Sequence, residues 1–248
     1  MSSHENKPDY AGDHNEKYEL LDSAAQYARL DGNEILRMKI LAAHGRFAGL
    51  EGKFRKCQEY CLEALRLATH YKDSSTLAIT YTMIGIVNLE MKNYKESERY
   101  SLLNYDLALG LGDYPRIATA CGRLMELYDA IGDTAKALFY GRLSVTNSKK
   151  AGNKYSSPLT LGNYGEVLFD LGFIDSAKYY QKIALDLRLE TGNKEGELYS
   201  YTSLAEIALF EKDYTLALDY CNKAWAIEEE KHYETYNARI YHHYYSAY

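Results

Sequence analysis

The side chains best suited to metal or redox chemistry are two cysteines, Cys57 and Cys61, and two adjacent histidines, His242 and His243. On a helix the two cysteines would lie one turn apart, where two thiolates could share a metal ion. Both also fall in columns of the repeat described below that small residues otherwise fill, so buried small apolar side chains are the preferred interpretation. Adjacent histidines point to different helix faces. We expect neither a metal nor a cofactor.

Motifs that would signal catalysis are absent from the sequence. It contains no G-x-x-x-x-G-K-[ST], no G-x-G-x-x-G after a strand, no H-E-x-x-H and no G-x-S-x-G. Carboxylate pairs such as Glu166 and Asp170 fall one helical turn apart, where a solvated surface is the usual explanation. We therefore expect that the protein is not an enzyme.

Three glutamates, Glu126, Glu166 and Glu206, recur at intervals of forty residues. If each lies on the first helix of a repeated helix pair, their carboxylates form a ladder, since neighbouring helices pack at about 8–10 Å. Such a groove suits a basic, partly hydrophobic peptide, whose affinity falls as salt rises. The predicted partner-binding residues are Arg46, Ile86, Leu89, Glu126, Asp129, Glu166, Phe169, Asp170, Thr202, Glu206 and Leu209. The alternative is that Arg123, Arg46 or lysines neutralise the ladder within the protein.

The helices that position these residues follow from a forty-residue repeat. Within each cycle, apolar residues recur at three- and four-residue steps on both sides of a fixed turn, which predicts an antiparallel helix pair. Glycine then ends the second helix, and the following Asn or Asp caps the next one. The turns between cycles are Gly32-Asn33, Lys72-Asp73, Gly112-Asp113, Gly152-Asn153 and Gly192-Asn193.

Three further columns describe how the helices pack. Small residues mark positions where two helices cross too closely for a large side chain. These columns read Gly45, Gly85, Met125, Gly165, Ala205 and Cys57, Ser97, Ala137, Ala177, Ala217. The third column is Tyr60, Tyr100, Tyr140, Tyr180, Tyr220, and we interpret these rings as filling the seam between neighbouring pairs. Met125 breaks its column, so we expect the third cycle to pack differently.

Charge and composition restrict the classes of partner. The net charge is −6, and Lys and Arg are scattered, which favours neither nucleic acid nor an anionic membrane surface. No stretch approaches the eighteen or so apolar residues of a membrane span, and the first residues have no apolar signal segment. Four cysteines without disulfide-like or zinc-like spacing favour a reducing compartment. We expect a cytoplasmic location.

Two cycles match the consensus of a known repeat family in order. The matching residues are Asn163-Tyr164-Gly165, Leu171-Gly172, Ala177, Ala184-Leu185, and then Leu204-Ala205, Asp213-Tyr214, Ala217, Ala224. On these residues the sequence resembles the tetratricopeptide repeat (TPR) family, which implies an all-α, right-handed superhelical solenoid. Its longer unit is similar to those of kinesin light chains, G-protein-modulator adaptors and bacterial signalling solenoids.

The resemblance implies a scaffold that binds protein or peptide on its concave face. The alternative is a ligand-responsive regulatory domain of a bacterial signalling protein, such as a sensor kinase, transcription factor or peptide receptor. The Lys, Asn and Arg clamp with which chaperone adaptors hold a carboxylate is not matched here, because Asn163 alone stands at a corresponding place. A chaperone C-terminus is therefore not the expected ligand.

The repeat also predicts the domain organisation. We expect residues 1–13 to be disordered and residues 14–248 to form the solenoid. The expected units are a half repeat at 14–33, full repeats at 34–73, 74–113, 114–153, 154–193 and 194–233, and a half repeat at 234–248. The last half repeat is rich in tyrosine, and aromatic rings left exposed there favour a homodimer through this helix.

Overall fold

The computed structural model describes residues 10–152, 157–231 and 237–247. These residues form twelve α-helices and no strand. The helices are α1 (Tyr10–Leu30), α2 (Glu34–Leu50), α3 (Phe54–Tyr71), α4 (Ser74–Glu90), α5 (Tyr94–Leu111), α6 (Tyr114–Ala130), α7 (Thr134–Ala151), α8 (Ser157–Asp170), α9 (Ile174–Thr191), α10 (Lys194–Phe210), α11 (Tyr214–Lys231) and α12 (Asn237–Ala247). The prediction of an all-α repeat fold is confirmed.

Consecutive helices form antiparallel pairs, from α2 with α3 to α10 with α11. Each pair falls within one of the five full repeats expected from the sequence. Helix α1 begins at Tyr10, inside the segment 1–13 that was expected to be disordered, and residues 1–9 of that segment lie outside the described residues. The chain divides into an N-terminal unit, residues 1–107, and a C-terminal unit, residues 108–248.

The turns between helices use the left-handed backbone conformation, which glycine adopts without strain. Gly192 ends α9 with φ +65°, and Asn193 then accepts a hydrogen bond from the backbone N–H of Gly196 at 2.9 Å, which caps α10. Lys72 adopts the same conformation, with φ 55°, where the sequence offers no glycine. The repeat therefore keeps its turn geometry even where its turn residue changes.

Close helix crossings within each pair match a small residue with a larger one. Gly85 of α4 faces Ser101, since a Cβ on Gly85 would lie 3.1 Å from the Ser101 Oγ. In α6 and α7 the sizes are exchanged: Met125 is the large residue, and a Cβ on Gly141 would lie 3.0 Å from its Sδ. This exchange is how the third cycle packs differently, as its sequence predicted.

The tyrosine column packs within each helix pair. Tyr140 of α7 stacks on Tyr128 of α6 with ring centroids 5.4 Å apart, and Tyr180 of α9 contacts Tyr164 of α8 at 5.0 Å. The same contact joins Tyr60 to His44, Tyr100 to Tyr81 and Tyr220 to Tyr201. These contacts lie between the two helices of one pair, whereas the sequence had suggested the seam between neighbouring pairs. The first helix supplies an aromatic partner in every pair.

Candidate functional site

The first helices of the C-terminal unit bring the three predicted glutamates into neighbouring positions. Asn163 of α8 donates a hydrogen bond to Glu126 of α6 at 3.1 Å. Ser203 of α10 donates to Glu166 of α8 at 3.2 Å. Donor and acceptor are 37 residues apart in both cases. The contact therefore repeats from one first helix to the next.

Arginines neutralise much of this ladder. Arg123 pairs with Glu126 at 2.6 Å on the same helix. Arg239 of α12 pairs with Glu206 at 2.6 Å and with Glu166 at 3.4 Å, so one guanidinium bridges two carboxylates from different helices. Burial by itself lowers the pKa of Arg239. The hydrogen bond to Glu206 and the charges of Glu206 and Glu166 raise this pKa by more, so the net shift is upward. The alternative of internal neutralisation thus applies to all three glutamates.

Sequence reasoning proposed Arg123 for this role and missed Arg239. Arg239 falls at the repeat position held by Tyr199 one cycle earlier. The Tyr199 hydroxyl hydrogen-bonds to Glu166, and its pKa is raised by burial and by that carboxylate. The forty-residue register could have identified Arg239 from the sequence, because it gives Arg239 on α12 the same repeat position that Tyr199 has on α10.

A cleft of about 220 Å³ lies beside Arg239 in the C-terminal unit. Its apolar wall includes Phe169, whose ring contacts Phe210 edge to face at a centroid distance of 5.7 Å. Its polar lining comprises Glu166, Asp170, Gln181, Ser203, Glu206 and Arg239. The cleft therefore combines aromatic surface with an excess of carboxylates.

Asp129 and Asp170 also lie in this region, and neither forms an ion pair within the described part of the chain. Partial burial raises the pKa of Asp170, and the charges of Asp129, Glu166 and Glu206 raise it further, against the opposing effect of Arg239. Burial also raises the pKa of Asp129. A cation bound next to Asp129 and Asp170 would offset the cost of burying their charges and the repulsion between the carboxylates.

His243 of α12 follows Glu206 by the same 37 residues that separate the hydrogen-bonded pairs above. Both of its ring nitrogens are buried without a hydrogen-bond partner among the described residues. Burial lowers the pKa of His243 to about 4, with Arg239 and His242 adding to that effect and Glu206 opposing it. The imidazole is therefore neutral at neutral pH, and Arg239 is the cation that reaches Glu206.

The remaining predicted site residues lie elsewhere. Arg46 is exposed in the N-terminal unit, where it lines a separate cavity of about 270 Å³ beside Lys39. Ile86 and Leu89 are half-buried on α4, also in the N-terminal unit.

Thr202 and Leu209 lie on α10. Thr202 is fully buried, and its hydroxyl donates to the carbonyls of Leu198 and Tyr199 in its own helix. Thr202 therefore does not belong to the exposed partner-binding surface that the sequence predicted, because its side chain is not accessible to a partner. Leu209 is half-buried near the end of the helix.

The described residues include no group of three or more His, Cys, Asp or Glu side chains arranged to hold a metal ion. Cys57 and Cys61 are completely buried and contact each other. Among the helices described, none combines the length and the apolar character that crossing a membrane requires.

Solved structures share this fold. BtubC from P. vanneervenii superposes with a TM-score of 0.73 at 15% identity, over 89% of this chain and 92% of the other. A Rap protein complexed with competence and sporulation factor gives 0.74 at 16% identity, over 83% of this chain and 57% of the Rap chain. A Podosopora anserina putative kinesin light chain with TPR-like repeats gives 0.62 at 14% identity, over 79% and 96%.

The chain has a TPR-like repeat fold. At these identities the likeness establishes the fold alone. No protein-family model matches the sequence, and no curated protein matches it. This chain spans a little over half of the length of the Rap chain. The ligand of that Rap protein is therefore stated for the Rap protein alone.

Proposed function

We propose that this TPR-like protein is a scaffold that binds protein or peptide partners through the first helices of its C-terminal unit. The observation that carries the proposal is the cleft beside Phe169, whose rim holds the Asp170 carboxylate without an ion pair in the described residues. An aromatic wall next to unbalanced negative charge suits a basic, partly hydrophobic segment. The proposal includes a non-enzymatic role in the cytoplasm, with no cofactor.

The surface that we propose differs from the one that the sequence suggested. It comprises Glu126, Asp129, Glu166, Phe169, Asp170, Glu206 and Leu209 in the C-terminal unit. Arg46, Ile86 and Leu89 remain proposed contacts of the N-terminal unit. Because Glu126, Glu166 and Glu206 already face arginines, Asp129 and Asp170 supply most of the charge available to a partner.

An array of synthetic peptides that vary charge and aromatic content independently would test this function. We expect the wild type to retain peptides with both basic and aromatic residues, and retention to fall as salt rises. The Asp129→Asn, Asp170→Asn double variant should lose more binding than the Glu126→Gln, Glu166→Gln, Glu206→Gln triple variant. The proposal would be contradicted if the wild type retained no peptide at all, or if it retained acidic peptides in preference to basic ones.

A second candidate is a regulatory domain that responds to a bound peptide. It is favoured by the position of Arg239, because a cationic ligand at Glu166 and Glu206 would compete with the residue that ties α12 to α8 and α10. Binding would then loosen α12 and transmit a signal to whatever contacts it. Faster amide hydrogen exchange in α12 on peptide binding would support this candidate, and unchanged exchange there would count against it.

We also propose that two copies associate through α12. Tyr241 and Tyr245 are exposed on this helix, at 58% and 87%, although Tyr241 contacts Trp225 at 5.2 Å. Burying these rings against a second copy would remove apolar surface from water. Light scattering should give a dimer mass for the wild type and a smaller mass for a Tyr241→Ser, Tyr245→Ser variant. Equal monomer masses would contradict the proposal.

A further inference from the structure

A glutamine forms part of the cleft lining in the C-terminal unit. Gln181 of α9 is completely buried, and its Nε2 donates a hydrogen bond to the carbonyl of Gly162 at 2.9 Å. Rotating the amide by half a turn would set its oxygen against that carbonyl, so the orientation is fixed by the contact. The Oε1 atom is left without a donor among the described residues. A buried acceptor without a donor is costly, and the side chain that carries it is part of the cleft lining.

The other polar groups of the cleft are also mostly acceptors. Glu166, Asp170 and Glu206 are carboxylates, and the Ser203 hydroxyl already donates to Glu166. Arg239 is the single cation that lines the cleft within the described residues. Three carboxylates against one guanidinium leave an excess of negative charge and of hydrogen-bond acceptors. A ligand that satisfies the cleft must therefore bring positive charge and several N–H groups.

Gln181 makes the site specific to one repeat. The equivalent positions in the other second helices are Cys61, Ser101, Gly141 and Cys221, none of which carries an amide. The glutamine fits because Gly165 on the facing helix has no side chain, and a Cβ there would lie 3.1 Å from the Gln181 Cγ. The cleft thus differs chemically from the crossings in the other helix pairs.

We propose that this cleft receives one cationic side chain, the guanidinium of arginine or the ammonium of lysine, from a bound peptide. The charged end donates to the Gln181 Oε1 and to the Asp170 carboxylate, and the aliphatic stem lies against Phe169. The cleft, at about 220 Å³, has room for the end of such a side chain. This inference rests on the proposed peptide-binding function and names its partner chemistry.

Capped tetrapeptides of sequence Ala-Phe-Arg-Ala would test the site. Counterparts would carry lysine, citrulline or norleucine in place of arginine, and agmatine would provide the guanidinium without a peptide. Binding to the full chain is followed by NMR through the side-chain amide signals of Gln181, together with calorimetry. We expect the arginine and lysine peptides to shift those signals and to bind about tenfold more tightly than the citrulline peptide, which keeps the N–H donors without the charge.

Variants separate the site from general surface charge. Asp170→Asn should weaken binding of the arginine peptide about tenfold. Gln181→Leu, which removes the amide acceptor, should weaken it too. Asp186→Asn, at an exposed acid on α9 outside the cleft, is the matched control and should change nothing. Because Gln181 is buried, each variant is first compared with the wild type by circular dichroism.

The outcomes distinguish this inference from the function on which it rests. Equal affinity for the arginine and citrulline peptides, or equal weakening by Asp170→Asn and Asp186→Asn, would overturn the cationic site. Peptides that bind without moving the Gln181 signals would overturn it while preserving the binding function. Binding of agmatine without binding of any peptide would refute the peptide source and the proposed function together.

Discussion

Removing Arg239 should destabilise helix α12, and the size of the loss measures the contribution of the ion pairs that Arg239 makes. In Arg239→Ala, the carboxylates of Glu166 and Glu206 lose their shared cation while remaining close to Asp170. The paired side chains are between 33% and 40% exposed, so solvent screens each pair. Partly exposed pairs contribute about 0.2–1 kcal/mol each, and for two pairs we expect a total loss of about 0.4–2 kcal/mol in the free energy of unfolding.

The dependence of this loss on pH and salt follows from its electrostatic origin. Without Arg239, nothing offsets the burial and the charges of Asp129, Glu166 and Glu206 that raise the pKa of Asp170, so this pKa rises further in the folded state. This part of the destabilisation is complete above the folded pKa of Asp170 and disappears as pH falls below the unfolded one. Added salt should also reduce it, because exposed charges are screened. Arg239→Lys should recover part of the stability, since an ammonium does not bridge two carboxylates as a guanidinium does.

Amide hydrogen exchange of α12 is the assay of choice, because end helices of repeat proteins open without global unfolding. Urea unfolding at two pH values and two salt concentrations gives the global effect. Arg142→Ala, at an exposed arginine of α7, is the matched control. Equal protection of α12 in Arg239→Ala and in this control would refute the reasoning, as would a loss that ignores both pH and salt.

Three further predictions concern stability. Asp170→Asn should stabilise the protein at neutral pH, because the raised pKa shows that the folded state disfavours the charged form; the gain should vanish below the unfolded pKa in urea titrations. Gly165→Leu and Ala177→Leu should each cost about 1–3 kcal/mol by overpacking a helix crossing, measured by the same titrations. Tyr100→Ala should cost about 3 kcal/mol or more and Tyr180→Ala less, since Tyr100 is buried and Tyr180 half-buried; equal melting temperatures for both would contradict this.

The repeat in the sequence predicted the helix pairs and several of their boundaries. Asn33, Asp73 and Asn193 fall immediately before helices that they cap. Capping is a contact over three residues, so a local pattern is enough to reveal it. Small residues at helix crossings were equally readable, because the same crossing recurs in every cycle.

The partner of each small residue was harder to predict. Met125 was recognised as an exception, but its match with Gly141 on the following helix came from the structure. Likewise, the amide of Gln181 drew no attention in the sequence, since its column otherwise holds small side chains. Its importance comes from a hydrogen bond to Gly162, from a buried acceptor without a donor, and from its place in the cleft lining.

The sequence by itself determined the fold class, the helix pairs and a column of glutamates, because contacts at three, four and forty residues repeat often enough to stand above chance. Only the tertiary structure decided how those glutamates are balanced. Arg239 has a long, flexible side chain that reaches two carboxylates 33 and 73 residues away, at a position where earlier cycles carry no arginine. A contact made once, over long separations, leaves no period in the sequence, and its charge balance depends on distances that only the packed helices set.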